Sequence, residues 1–375
     1  MPITIGVLRE TAPGEKRVAI VPKVLARMHA AGLRVVMEQG AGLAASFSDS
    51  DYKDIEIEST PGKVAGGCDA LFCVGPPEIS RIAQLKKGAM VVGLLNAYAP
   101  SDTTDALRDA DVTAFSVELV PRISRAQSMD VLSSQASVAG YKAVVMAADE
   151  MQKFLPMLTT AAGTISPAKT LVLGAGVAGL QAIATARRLG AVVEAYDVRE
   201  ETREQVESLG ARFVDSGVSA TGEGGYAREL TAEEKAMQQE ALDRHIAASD
   251  MLITTAAVPG RPSPRIVSAA AVENMRPGSV IVDLAAEGGG NCELSRPGET
   301  VEHNGVRIIA PLKLPAMMAR HASAMYSRNL FNFIKPAIDG DEFSLDLEDP
   351  VFAATLLTHE GQIRYAGAQR EGSTQ

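Results

Sequence analysis

Gly174, Gly176 and Gly179 stand in KTLVLGAGVAGLQAIATARRLGAVVEAYDVR, residues 169–199, where they spell G-x-G-x-x-G. Residues 170–173 before them are apolar and partly β-branched, which reads as a buried strand. Residues 178–189 behind them carry helix formers at helical spacing, and Gly190 stops that helix. Residues 191–196 then give a second strand with Asp197 at its end. Each residue type has a physical task. The first glycine allows a tight turn, the second lets backbone approach a pyrophosphate, and the third lets helix and strand pack closely. The helix N-terminus offers free N–H groups and a positive dipole end to phosphates. Asp197 can accept both ribose hydroxyls, and its charge repels a 2′-phosphate, so the expected ligand is NAD(H) rather than NADP(H). Val177, Val198 and Arg199 adjoin these positions and belong with the candidate cofactor-binding residues.

A second polar concentration is PRISRAQSMDVLSSQAS, residues 121–137, after a predicted strand end at Leu119. Ligands collect at such ends in open α/β sheets. Arg122 and Arg125 suit a pyrophosphate or carboxamide, Gln127 a ribose, and Asp130 and Ser133 a nicotinamide amide. Spacing alone favours a plainer alternative, a polar loop capping the next helix with Ser133 or Ser134 as N-cap. No His–carboxylate pair is evident near a strand end to take a substrate proton. The five histidines, His29, His245, His303, His321 and His359, read as surface or core residues. A hydride carrier without an acid–base pair points to a reaction in which no substrate proton moves.

The elements that must hold these residues follow from periodicity. Residues 3–8, 33–38, 70–74, 90–94 and 112–116 read as strands, with a Pro22-initiated amphipathic stretch over 23–31 and further helical or turn segments between. Strands alternating with helices imply a parallel sheet covered on both faces. Residues 133–158, rich in Ala and Met, read as one long helix into a second domain. There, strands are predicted at 211–214, 250–254, 279–284 and 306–310 beside the two already named. The expected architecture is α/β: two doubly wound, Rossmann-like parallel-sheet domains with a cleft between them. The first covers 1–136 and is completed by 318–375, and the second covers 137–317. Residues 371–375 are expected to fray.

One connection is disproportionate. Between Val214 and Asp250 the chain carries Gly217, Gly222, Gly224 and Gly225 around a lone Tyr226. Long connections are often lids, and the same composition also suits a disordered insertion before a helix capped at Thr231.

Composition narrows the class. The chain has 375 residues, room for two or three domains, and a formal charge of −10, which argues against a nucleic-acid partner. No apolar run approaches the ~18 residues of a membrane span, and MPITIGVLRE reads as a strand start rather than a signal peptide. Cys68, Cys73 and Cys292 lack metal-ligand spacing and read as reduced thiols of a cytosolic protein; no metal site is expected.

Taken together, IGVLRETAPGEKRVAIVPK, PRISRAQSMDVLSSQASVAGYKAV, the glycine unit, EGGYARELTAEE and VIVDLAAEGGGNCELS resemble the NAD(H)-binding component, domain I, of proton-translocating NAD(P) transhydrogenase. The spacing of Arg122, Gln127 and Asp130 is the distinctive part. The chain also resembles alanine dehydrogenases, but Gly75 or its neighbours stand where their catalytic lysine falls, and Asn96 where their histidine falls. The transhydrogenase resemblance implies that Gln127 bridges toward both nucleotides, and that Arg122, Asp130 and Ser133 position the nicotinamide. It implies that Tyr226, next to Gly225, lies on a mobile loop closing over NAD(H), over about residues 217–235. It further implies a homodimer that docks on an NADP(H)-binding domain of a beta subunit with membrane-spanning subunits, so that the chain is cytoplasmic and peripheral to the inner membrane. The implied activity is direct, Re/Si-specific hydride transfer between NADH and NADP⁺ on the partner, coupled to proton translocation. The alternatives are an alanine dehydrogenase-like oxidoreductase and a non-catalytic NAD-binding protein.

Overall fold

A computed structural model describes residues 2–217, 231–257 and 260–370. Tyr226 and Gly225, with Gly222 and Gly224 and the rest of residues 218–230 of the expected lid, lie outside the described residues, as do residues 371–375. The chain forms two compact units, residues 1–135 with 315–375, and residues 136–314.

In chain order the elements begin β1 Thr4–Val7, α1 Pro22–Ala30, β2 Arg34–Glu38, β3 Glu56–Glu58, α2 Pro61–Gly67, β4 Ala70–Phe72, α3 Ile79–Ile82, β5 Met90–Gly93, α4 Asp102–Asp109, β6 Thr113–Ser116 and α5 Val131–Glu150. There follow β7 Leu158–Thr160, β8 Gly163–Ile165, β9 Lys169–Leu173, α6 Val177–Arg188, β10 Val192–Tyr196, α7 Arg203–Ser208, β11 Arg212–Phe213, α8 Ala232–Ala248, β12 Met251–Thr254, α9 Ala269–Glu273, β13 Val280–Asp283, β14 Thr300–His303 and β15 Val306–Ile309. The chain closes with α10 Ala319–Ile334, β16 Ile338–Asp339, β17 Glu342–Phe343, α11 Pro350–Thr355, β18 Leu356–His359 and β19 Gln362–Ile363.

In the first unit the sheet runs β19-β18-β6-β5-β4-β1-β2-β3. All pairings from β6 to β3 are parallel, whereas β18 and β19 add on antiparallel. Side-chain alternation sends Ala70 and Phe72 to one core and Leu71 to another, so both faces of the strand are dry. The return of the C-terminal segment is fixed by Phe115 of β6, Phe333 of α10 and Phe352 of α11, whose ring centroids lie 5.3–5.6 Å apart.

In the second unit the order is β11-β10-β9-β12-β13-β15-β14, parallel except for β14 at the edge. The chain starts at β9, winds out to β11 and then crosses to β12. The order therefore reverses between β9 and β12, the switch point outside which such sheets bind ligands.

The long helix predicted over 133–158 is shorter at its end, running Val131–Glu150, and Leu158 instead opens the β7–β8 hairpin. Pro156 disfavours helical geometry at Leu155, and the Ala168 N–H bonds the carbonyls of Phe154 and Leu155. The edge strands β3, β14 and β19, and β18 beside β19, are absent from the sequence reading, being short and partly polar. The cap at Thr231 is present: its Oγ1 accepts from Glu234 N at 3.2 Å, and Thr231 N donates to Glu234 Oε2 at 2.9 Å.

Candidate functional site

The glycine turn joins β9 to α6 at the switch point. Gly174 adopts φ +98°, and its N–H bonds the Tyr196 carbonyl at 2.8 Å, coupling the turn to the end of β10. Gly176 is the N-cap of α6, no side chain caps that end, and nothing lies within 4 Å of where a Cβ would stand. A Cβ on Gly179 would fall on the Gly174 carbonyl oxygen, well inside contact distance. The three glycines thus divide into a turn, an open approach and a close packing point, the shape a pyrophosphate requires. Val177 and Val198 are exposed beside the turn at 42% and 58%.

Asp197 is 8% exposed, and its carboxylate is already engaged within the unit. One oxygen accepts the Ala175 N–H at 2.7 Å, tying the glycine turn to β10. Arg199 donates its backbone N–H, Nε and Nη2 to the same carboxylate, each at 2.9 Å. Burial alone would raise the Asp197 pKa; the Arg199 and Ala175 donors outweigh it and hold the group below the ordinary aspartate value. The Arg199 pair offsets part of the carboxylate charge.

Residues that sequence reasoning did not single out complete this edge. Thr255 Oγ1 donates to the Gly174 carbonyl at 3.0 Å. Buried Asn291 accepts from Ala256 N at 3.0 Å and donates to the carbonyls of Ala256 and Pro264 at 2.7 and 2.8 Å. Asp283, fully buried, accepts from Thr254 Oγ1, Ala285 N, Cys292 N and Ser295 Oγ at 2.6–3.0 Å. VIVD and EAYD carry one signal, a strand closed by Asp. Only the fold shows that Asp283 is consumed internally while Asp197 lies beside the glycine turn.

The Arg122–Ser133 loop belongs to the first unit, and the glycine turn to the second. Residues Ser124–Met129 form a 3₁₀ helix leading into α5. Asp130 stands immediately before α5 and accepts the Ser133 N–H at 2.8 Å and Ser133 Oγ at 2.6 Å. The cap of α5 is therefore Asp130, not Ser133 or Ser134, because a carboxylate before the helix reaches the third N–H best. The side chains of Arg122 and Gln127 are exposed. Arg125 instead donates to Asp349 at 2.6 Å, at the N-cap of α11.

At the strand ends of the first unit, carboxylates shape the turns. Glu118, 6% exposed, accepts Leu95 N at 3.3 Å and Ala97 N at 3.0 Å, around Asn96 at φ +59°. Glu10 accepts Val74 N at 2.6 Å and Gly75 N at 3.2 Å. Arg17 donates Nε and Nη2 to Glu15 at 2.8 and 2.7 Å and Nη1 to Gln135 at 2.9 Å. Burial pushes the Glu10 carboxyl up to about 7 despite its two N–H donors. A carboxyl with a raised folded pKa adds stability below its unfolded pKa, and this is lost as pH rises through the folded value. Glu10→Gln removes that titration. The stability of the variant relative to the native chain therefore rises between pH 5 and pH 8, as denaturant unfolding at the two pH values will read; a pH-independent difference assigns the titration elsewhere.

His245 Nδ1 and Glu194 Oε2 lie 2.7 Å apart, a His–carboxylate pair that the sequence did not reveal. Glu194 sits mid-strand in β10 with Arg212 at 3.6 Å, not at the ligand edge. Cys68, Cys73 and Cys292 are free and buried. Among the described residues no helix is long and apolar enough to cross a membrane.

A Rossmann-like unit with a built glycine turn, preceded by a second parallel α/β unit, defines the class: a two-unit α/β protein of the dinucleotide-binding type. Family models for the alanine dehydrogenase/PNT N-terminal and C-terminal domains match residues 6–139 and 143–366. The chain belongs to the alanine dehydrogenase/PNT family. It is 44% identical to an NAD(P) transhydrogenase alpha-subunit polypeptide of Rhodospirillum rubrum, over 98% of this chain and 100% of that one. It is 26% identical to alanine dehydrogenase of Mycobacterium tuberculosis, over 96% and 94% of the two chains. The crystal structure of transhydrogenase from Sinorhizobium meliloti matches with a TM-score of 0.88 and 42% identity, covering 96% of this chain and 99% of that one.

Proposed function

We propose that this chain is the NAD(H)-binding component of a proton-translocating transhydrogenase. In this reading hydride passes directly between NADH held here and NADP⁺ on the NADP(H)-binding domain of a beta subunit. Membrane-spanning subunits couple the transfer to proton movement, and the chain works as a homodimer at the cytoplasmic face of the inner membrane. The observation that carries the reading is end-to-end similarity to a transhydrogenase subunit, together with the Arg122–Ser133 loop.

Bound NADH would supply the hydride from C4 of its dihydronicotinamide. The chain's own groups bind and orient. The turn Gly174–Gly176 and the uncapped N-terminus of α6 suit the pyrophosphate, and Asp197 suits a ribose. Asp130 and Ser133, 2.6 Å apart, form a donor–acceptor pair of the kind an amide needs. Arg122 and Gln127 have side chains exposed for a second nucleotide or its domain. Catalysis is then proximity and orientation, with no general acid. The amino-acid oxidoreductase reading fares worse: Gly75 brings no side chain and its N–H is taken by Glu10, while Asn96 cannot serve as a general base.

The test is a mixing assay of the purified chain, the partner domain, NADH and an oxidised NADP analogue. Hydride exchange is expected. No exchange with a competent partner rejects the proposal, and NADH production from alanine and NAD⁺ by the chain alone replaces it with the dehydrogenase reading.

A further inference from the structure

The six-residue 3₁₀ run Ser124–Met129 is longer than such turns usually sustain by themselves. Its hold on the rest of the first unit is therefore informative. Two asparagines of α10 converge on one of its carbonyls: Asn329 Nδ2 and Asn332 Nδ2 donate to Ser128 O at 2.9 and 3.1 Å. Spaced three apart, they share one face of the helix. Asn329 is 7% exposed, and its Oδ1 is buried without a partner among the described residues, so the polar amide is kept in the interior at the cost of an unmet oxygen. Asn332 is oriented from its other end, where Oδ1 accepts Arg27 Nη2 at 3.0 Å; the Arg27 guanidinium lies over the Phe331 ring at 4.6 Å.

A second anchor lies on the other side of Gln127, where Arg125 meets Asp349 at 2.6 Å. Gln127 thus sits between two tethers, with its neighbours Ala126 and Met129 buried and its own side chain exposed. The backbone is held and the side chain left available. We infer that Asn329 and Asn332 are positioning residues for Gln127, acting through the Ser128 carbonyl that their amides clamp. The inference rests on the proposal that Gln127 serves hydride transfer.

Asn332 is only half-buried, so Asn332→Asp tests the clamp with little disturbance to the core. The variant keeps the shape and the acceptor for Arg27, and sets an oxygen against the Ser128 carbonyl in place of the donor. In the reconstituted full-length system, transfer should slow about tenfold, while the NADH dissociation constant moves less than about twofold and the thermal midpoint holds. Gln127→Ala should slow transfer further. The double variant should then be no slower than Gln127→Ala alone, because both changes act through one side chain. A native rate in Asn332→Asp beside a slow Gln127→Ala overturns the inference and leaves the function proposal intact. Multiplying effects, or a fallen thermal midpoint, overturn it in favour of a general structural role. A native rate in Gln127→Ala removes the underlying reading of the loop, and the inference with it.

Discussion

Gln127→Ala is expected to slow hydride exchange between NADH and a partner-bound NADP analogue about 100-fold, the scale that loss of alignment costs a reaction driven by orientation. NADH binding should weaken only modestly, because the groups suited to its pyrophosphate and ribose, Gly174–Gly179 and Asp197, are untouched. Asp130→Asn should act in the same direction. Asparagine caps a helix about as well as aspartate, so α5 keeps its start while the carboxylate facing Ser133 at 2.6 Å is lost. Stopped-flow exchange set against fluorescence titration of NADH separates transfer from binding. Unchanged transfer in both variants would take these residues out of the mechanism.

Gly179→Ala should abolish tight NADH binding, by at least about 100-fold, and destabilise the chain by about 3 kcal/mol, the upper range for overpacking at a rigid site. The added methyl falls on the Gly174 carbonyl and lies 3.3 Å from Thr255 Oγ1. Neither neighbour can retreat freely. Gly174 N is held by Tyr196 O at 2.8 Å, and Gly174 O is held by Thr255 Oγ1 at 3.0 Å. Gly176→Ala is the internal control, since its Cβ meets open space and its φ of −78° suits any residue. That variant should retain native stability within about 0.5 kcal/mol and still bind NADH poorly, as the methyl occupies the approach face. Equal stability loss in both variants would show that the clash does not decide the effect at Gly179.

The glycine unit was legible because everything that specifies it is local. Strand, turn, helix and second strand fall within one short consecutive stretch, and each leaves a periodic or conformational trace. The same holds for the Thr231 cap, where two residues three apart satisfy each other. The family was also legible, since the quoted motifs span the chain.

Tertiary structure decided which side chains are committed elsewhere. Arg125 reads as a phosphate ligand until Asp349, far later in the chain, is seen to hold it. Asp197 and Asp283 both stand at strand ends, and their hydrogen-bond partners separate them. Asn329 and Asn332 had no signal at all, because a helix does not announce which distant carbonyl its amides will meet. By itself the sequence determined the fold class and the glycine turn through short-range spacing, whereas the loop that carries Gln127 and Asp130 stood out only through the family resemblance, since its spacing alone suited a helix cap. The tertiary structure alone decided which polar groups remain available for a ligand, since hydrogen-bond partners are set by packing between elements far apart in the chain.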